Sequence, residues 1–199
     1  MMLKTRLMPR VLALLAAGGL ALTLAALPAG ADWQGLSQKQ ATPSNPAWEE
    51  YAFDLPYADD SGRLTFEDLA QSGQPFVLVW WLTDCPLCNL ELPYVEQLKK
   101  QSDENGLGVR VISICVDDDK DTCLDYMQDK GMTFEVLFDQ HARRTDDTYS
   151  VSDLGTPLTY VFNGKGEFVD YLTGFRSEYA KAVYKLLGIT PPQASRKGS

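Results

Sequence analysis

The chain has one histidine and four cysteines in 199 residues, and these scarcities narrow its chemistry before any motif is read. A structural zinc site is ordinarily closed by two cysteine pairs, or by one pair with histidines. A single Cys-x-x-Cys, Cys85 to Cys88, and a lone His141 match that set poorly, so no metal is expected. Positive charge is also short: 18 Lys and Arg stand against 27 Asp and Glu, for a net charge of −9. Such a chain is a poor ligand for nucleic acid and is repelled by anionic lipid surfaces. The plainest role of the acidity is solubility. The acidic run 117–121 lacks the glycine and terminal glutamate of a calcium loop and reads as a solvated helix N-terminus, where carboxylates meet the dipole favourably. There is no internal repeat and no sign of a second domain.

The first 31 residues read as a targeting segment. Lys4, Arg6 and Arg10 give a basic start, residues 11–27 are apolar apart from Gly18, Gly19 and Thr23, and Ala29-Gly30-Ala31 fits a small-x-small cleavage site. The run is short and rich in Ala and Gly for a stable span of about 20 residues. Export with cleavage is therefore favoured over retention as an anchor through residues 11–27. No cysteine near the cleavage point offers a lipid attachment. Cleavage removes three positive charges and leaves a net −12 on the remaining 168 residues, a length suited to one domain. Outside the cytoplasm, disulfides persist.

Residues 32–48 are rich in Gln, Ser, Asn and Pro and read as a flexible lead-in. Alternating Phe53, Leu55, Tyr57 and then Leu64, Phe66 about the turn Asp59-Asp60-Ser61-Gly62 predict a β-hairpin. The apolar run 76–81 predicts a buried strand. A helix follows over about 85–102, with Pro86 suited to its first turn, Pro93 expected to kink it, and Leu90, Tyr94, Val95 and Leu98 facing inward. Further strands are expected over 109–116 and 134–138, with a helix over 117–130 stopped by Gly131 between them. A short helix or loop over 140–149 precedes a hairpin, 158–162 and 167–172, about Asn163-Gly164-Lys165-Gly166. A last helix over 177–187 is capped by Ser177, and the end of the chain from 191 reads as a frayed tail. Strands alternating with helices favour a parallel sheet covered on both faces, with the last hairpin adding antiparallel strands, all within residues 49–190.

The most informative stretch is Trp80-Trp81-Leu82-Thr83-Asp84-Cys85-Pro86-Leu87-Cys88. Two cysteines three apart, where a strand hands over to a helix, are the arrangement of a dithiol/disulfide redox centre. The helix N-terminus stabilises a thiolate through its free N–H groups and dipole.

Three features resemble the exported thioredoxin-like oxidoreductases of the TlpA/ResA group, which border on the AhpC/TSA peroxiredoxins. The first is the pattern from Phe53 to Leu69. The second is Trp81-x-x-x-Cys85-x-x-Cys88 with Glu91 and Pro93 following. The third is Leu154-Gly155-Thr156-Pro157 ahead of the 163–166 hairpin. The resemblance implies an α/β thioredoxin-like fold, a central mixed β-sheet flanked by helices with an N-terminal β-hairpin extension. It implies Cys85 as exposed nucleophile and Cys88 as resolving thiol, with a redox-active disulfide in place of a cofactor. It implies a cis bond before Pro157, and a substrate-binding surface of Thr156, Pro157, Trp81 and Pro86. The chain departs from the family in carrying Asp84 before the first cysteine, Pro-Leu between the cysteines, and Val79 where typical thioredoxins bury an acid. Four cysteines with none left over favour a second disulfide, Cys115–Cys123, over two free thiols, with a role as a staple or as a second redox pair.

The function this implies is thiol–disulfide exchange on protein substrates with cysteine pairs, more as reductant than oxidant. Apocytochrome or metal-site cysteines are the substrates of many relatives, which places the chain in cytochrome c maturation. A periplasmic or other extracytoplasmic reductant needs a membrane electron donor, and its own contact with the membrane is limited to an uncleaved N-terminus. Two alternatives stand beside it. A thiol peroxidase needs a threonine three residues before the attacking cysteine, where Leu82 stands. A copper-binding or assembly module would use Cys85, Cys88 and His141.

Overall fold

The computed structural model describes residues 47–192, and the first element within them is a short 3-10 helix, Ala47–Tyr51. The targeting segment expected over 1–31, nearly all of the lead-in and most of the tail lie outside the described residues. A two-stranded antiparallel hairpin follows, β1 (Asp54–Pro56) and β2 (Arg63–Thr65), pairing buried Leu55 with buried Leu64. Helix α1 (Phe66–Gln71) starts on a capping box: the Thr65 hydroxyl accepts from the Asp68 N–H, and the Asp68 carboxylate accepts from the Thr65 N–H.

Strand β3 (Phe76–Trp81) is buried at every residue because it is the centre of the main sheet. β4 (Arg110–Cys115) pairs with it in parallel, and β6 (Leu158–Phe162) antiparallel on its other edge. β5 (Glu135–Phe138) and β7 (Phe168–Thr173) complete the order β5-β4-β3-β6-β7. Side chains alternate across a strand, so β3 feeds two cores. Phe76, Leu78 and Trp80 pack with Phe66, Tyr149 and Phe162 on one face. Val77, Val79 and Trp81 pack on the other with Cys88, Leu92 and Val95 of α2 (Pro86–Glu104) and Val183 of α6 (Tyr179–Leu187). A continuous apolar run is what a strand covered on both faces requires. The mixed sheet, flanking helices and N-terminal hairpin are as the sequence implied.

Several local expectations are corrected. Leu90 is 54% exposed, whereas Leu92 is fully buried. Cys88, Leu92 and Val95 recur at the i, i+4, i+7 spacing of one helical face, and Leu90 lies two residues off it. The helix expected from 117 begins later, as α3 (Lys120–Lys130); Asp119 caps it by accepting from the Asp121 N–H. Ser177 does not cap α6, whose N-cap is Glu178 with no side-chain capping bond; its carboxylate accepts from Lys181 Nζ instead. In the 163–166 turn, a Cβ on Gly164 would lie 2.7 Å from the Gly73 carbonyl oxygen, so only glycine fits without backbone movement.

The segment after β5 is organised by one buried carboxylate. It contains a 3-10 turn, Gln140–Ala142, and two short helices, α4 (Asp146–Tyr149) and α5 (Val151–Leu154). Asp139 accepts from the backbone N–H groups of Arg144 and Thr145 and, at 2.8 Å, from the Thr145 hydroxyl. That hydroxyl accepts in turn from Trp80 Nε1 at 2.9 Å, which ties the segment leading to Thr156 onto the central strand. Thr145→Val removes the acceptor of a buried indole N–H and is expected to cost about 1–3 kcal/mol. Urea unfolding of the variant measures it.

Candidate functional site

Strand β3 ends at Trp81, and the loop 82–84 carries the chain to Cys85, the N-cap of α2. Cys85 has extended backbone (φ −85°, ψ 109°), and its Sγ accepts from the Cys88 N–H at 3.1 Å. Pro86 occupies the first turn, where its missing N–H is not needed. Cys85 and Cys88 form a disulfide with a Cα separation of 5.2 Å. Cys85 is half-buried and Cys88 is fully buried. A thiolate formed at Cys85 would face the free N–H groups of the first helical turn.

Opposite stands the loop before β6. Gly155 adopts φ 73°, ψ 170°, a combination open essentially only to glycine, and the Thr156–Pro157 peptide is cis. The Thr156 carbonyl oxygen lies 3.6 Å from Cys85 Sγ. Pro157 is buried and Thr156 is half-exposed. Trp81, expected at the substrate surface, is instead fully buried and packs on Tyr126, ring centroids 5.4 Å apart. Leu87, Leu90 and Phe175 are exposed apolar groups, and Phe175 packs against Tyr94 of α2.

Two acids at this site had no role assigned from the sequence: Glu91 stood only in the motif after Cys88, and Asp117 only in the acidic run 117–121. Glu91, one helical turn beyond Cys88, is 2% exposed, and burial pushes its carboxyl up to about 7 against the opposing effects of the Arg176 N–H and guanidinium. That N–H donates to Glu91 Oε2 at 3.0 Å. Where Val79 leaves the strand without an acid, Glu91 places one on the same side of the sheet. The sequence signal was its place three residues after Cys88, in the motif that carries the family resemblance. Asp117 is the second. Its Oδ2 accepts from the Thr83 N–H at 2.9 Å, while Asn89 Nδ2 donates to the Thr83 carbonyl at 3.1 Å, so the loop before Cys85 is held from both sides.

Cys115, the last residue of β4, pairs in register with Trp81. It forms a disulfide with Cys123 in the first turn of α3, at a Cα separation of 6.3 Å, and both residues are fully buried. This is the second disulfide expected from the cysteine count. Asp117 Oδ2 lies 3.2 Å from Cys115 Sγ and 3.8 Å from Cys123 Sγ. Burial raises the Asp117 carboxyl, Asp84 and Asp118 add to the rise, and the Thr83 bond opposes it.

His141 lies on the surface with Nε2 2.9 Å from Asp118 Oδ1. With Leu82, Val116, Val151 and Thr156 it lines a shallow cleft of about 240 Å³ beside the Cys85 loop. Cys85, Cys88 and His141 are not brought together as ligands. Among the described residues, the one trio of His, Cys or acidic donors close enough for a metal is Cys115, Asp117 and Cys123, whose sulfurs are joined to each other.

The AhpC/TSA family model matches residues 49–171. The chain belongs to the AhpC/TSA family. Among curated family relatives it is 31% identical over 116 residues to the thiol-disulfide oxidoreductase ResA of Bacillus subtilis (strain 168), covering 58% of this chain and 61% of that one. It is 29% identical over 115 residues to the thiol:disulfide interchange protein DsbE of Escherichia coli (strain K12), covering 57% of each. The chain thus spans about three fifths of the length of these relatives. A crystal structure of a secreted Mycobacterium tuberculosis disulfide oxidoreductase homologous to E. coli DsbE superposes with a TM-score of 0.57 at 19% identity, covering 69% of this chain and 96% of that one. The likeness establishes the thioredoxin-like fold of this AhpC/TSA family member.

Two measurements follow from the site's burial. Glu91 has a higher pKa folded than unfolded, so between about 4.5 and about 7 the unfolded chain binds fewer protons and stability falls as pH rises, by up to about 3 kcal/mol. Glu91→Gln is expected to flatten that fall, read as the denaturation midpoint at pH 4.5 and pH 7.5. The Cys115–Cys123 bond closes a short loop, and its loss in C115S/C123S is expected to cost roughly 2–3 kcal/mol by chemical denaturation.

Proposed function

We propose that this protein is an exported thiol–disulfide oxidoreductase that reduces disulfides in protein substrates through Cys85 and Cys88. One observation carries the reading: a half-buried cysteine at a helix N-cap, disulfide-bonded to a buried one, faces the carbonyl of Thr156 beside a cis proline. The ResA and DsbE names of the relatives support the activity. The secreted character of the Mycobacterium protein, with the basic and apolar residues at 1–31, supports export. Among the described residues no helix is long and apolar enough to cross a membrane.

In the reducing direction the Cys85 thiolate attacks a substrate disulfide and forms a mixed disulfide. Cys88 gives up its proton and attacks Cys85 Sγ, so the substrate leaves as a dithiol and Cys85–Cys88 is oxidised. The backbone at Thr156 offers short-range β-pairing to an extended substrate segment, and Leu87, Leu90 and Phe175 give its apolar side chains a surface. Apocytochrome or metal-site cysteine pairs are the substrates this fits, in keeping with a role in cytochrome c maturation. A membrane dithiol donor then returns two electrons to Cys85–Cys88. The peroxidase alternative lacks a hydroxyl at residue 82, where leucine stands.

Cys85→Ser is expected to lower the rate of disulfide reduction at least about a hundredfold, and Cys88→Ser to accumulate the mixed disulfide through Cys85. Mass spectrometry of the trapped species checks both. A midpoint for Cys85–Cys88 near roughly −270 mV supports a reductant, and one near about −120 mV reverses the direction. Full activity in Cys85→Ser overturns the assignment.

A further inference from the structure

The second disulfide sits against a carboxylate that also holds the active loop. Asp117 Oδ2 touches both sulfurs, at 3.2 and 3.8 Å, and the Thr83 N–H, at 2.9 Å. Thr83 is two residues before Cys85. As a disulfide, the sulfur pair has no hydrogen to give, so the carboxylate is desolvated against two weak acceptors. As a dithiol, the Cys115 S–H becomes a donor already within reach of Oδ2 at 3.2 Å, and the Cys123 S–H is shared between Oδ2 at 3.8 Å and the Asp119 carbonyl oxygen at 3.5 Å. An ionised Asp117 therefore favours the dithiol over the disulfide, and disfavours a thiolate at either cysteine.

We propose that Cys115–Cys123 is a second, reducible redox site whose state is transmitted to Cys85–Cys88 through Asp117 and Thr83. The inference rests on the reading of Cys85–Cys88 given above. Its reductant is a dithiol. One thiolate of the dithiol attacks a sulfur of the Cys115–Cys123 bond and breaks it, forming a mixed disulfide, and the second thiolate resolves that intermediate. The dithiol leaves as a disulfide, having given two electrons, and with two protons Cys115 and Cys123 become thiols. Both sulfurs are buried, so attack requires the largely exposed segment 118–122 above them to move aside. Exchange at this site is slower than at half-buried Cys85. Direct transfer between the two cysteine pairs is not required.

Coupling follows from the shared oxygen. The Cys115 S–H, with a share of the Cys123 S–H, partly neutralises the Asp117 carboxylate and competes with the Thr83 N–H for it. Less negative potential then faces Cys85, and its thiolate is favoured. Reduction at 115–123 makes Cys85–Cys88 easier to reduce, and by linkage the reverse holds equally.

The test is equilibration of the folded protein with graded dithiothreitol, with differential alkylation and mass spectrometry of all four cysteines. Cys115 and Cys123 are expected to be alkylated, without unfolding, at a second midpoint distinct from that of Cys85 and Cys88. In C115S/C123S, which supplies two hydroxyl donors in place of thiols, the equilibrium constant for reducing Cys85–Cys88 is expected to rise at least about threefold. The rise is expected to vanish when Asp117→Asn is added. Retention of Cys115–Cys123 at every dithiothreitol concentration that leaves the protein folded overturns the proposal. So does an unchanged Cys85–Cys88 constant in C115S/C123S, or a rise that survives Asp117→Asn. A Cys85–Cys88 pair that does not exchange with dithiol at all overturns the proposed function instead, so the two failures are distinguishable.

Discussion

Burial of β3 on both faces is the constraint from which the rest of the structure follows. Phe76, Leu78 and Trp80 are committed to one core and Val77, Val79 and Trp81 to the other, so the strand can neither slip by one residue nor turn over. Its C-terminal end is thereby fixed in three dimensions, and the next element starts there. Cys85 is placed by that end, by the α2 cap and by Thr83, whose N–H and carbonyl are both bonded. β6, paired to β3 on its other edge, brings Thr156 to Cys85 Sγ across 71 residues of sequence. Both halves of the site hang from one strand, which fixes their separation.

The electrostatics of the site are divided. On the helix side, the first-turn N–H groups of α2 favour a thiolate at Cys85. On the loop side, Asp84, the residue before Cys85, supplies negative charge that opposes it, and Asp117, its carboxyl raised by burial and by Asp84 and Asp118, holds the Thr83 N–H. Beneath, Glu91 is buried with one backbone N–H for its carboxylate, which keeps its proton to about neutral pH. A cysteine pair flanked by acids with different protonation behaviour is sensitive to small changes in which donors each acid holds. That sensitivity gives the contact between Asp117 and the second disulfide its weight.

Much of the fold was legible because its signals are local. The run 76–81 read as a buried strand and is one, and Gly131 closed α3 at φ 62° as its place after the acidic helix predicted; the alternation that carried Phe66 into the hairpin instead breaks at the Thr65 capping box, where α1 begins. The errors fall where a local pattern had competing solutions. Leu90 is apolar and close to inward positions, yet the face of α2 is set by Cys88, Leu92 and Val95. Ser177 is a good capping residue, but Glu178 is where the helical backbone begins, and Arg176 just before it is engaged with Glu91. Asp117 resembled its acidic neighbours in sequence; only its place between the end of β4 and the Thr83 loop distinguishes it.

The sequence by itself determined the candidate site: a Cys-x-x-Cys between strand and helix, four cysteines with no remainder, and a Thr-Pro ahead of a hairpin. These are properties of residue type and short spacing, which are written along the chain. The tertiary structure alone decided which groups surround the sulfurs. Glu91 met Arg176, Asp117 met Thr83 and both Cys115 and Cys123, and Trp81 turned inward. The reason is physical: a carboxylate's partners and its pKa depend on burial and on atoms brought close by packing, and neither is encoded at any fixed distance in sequence.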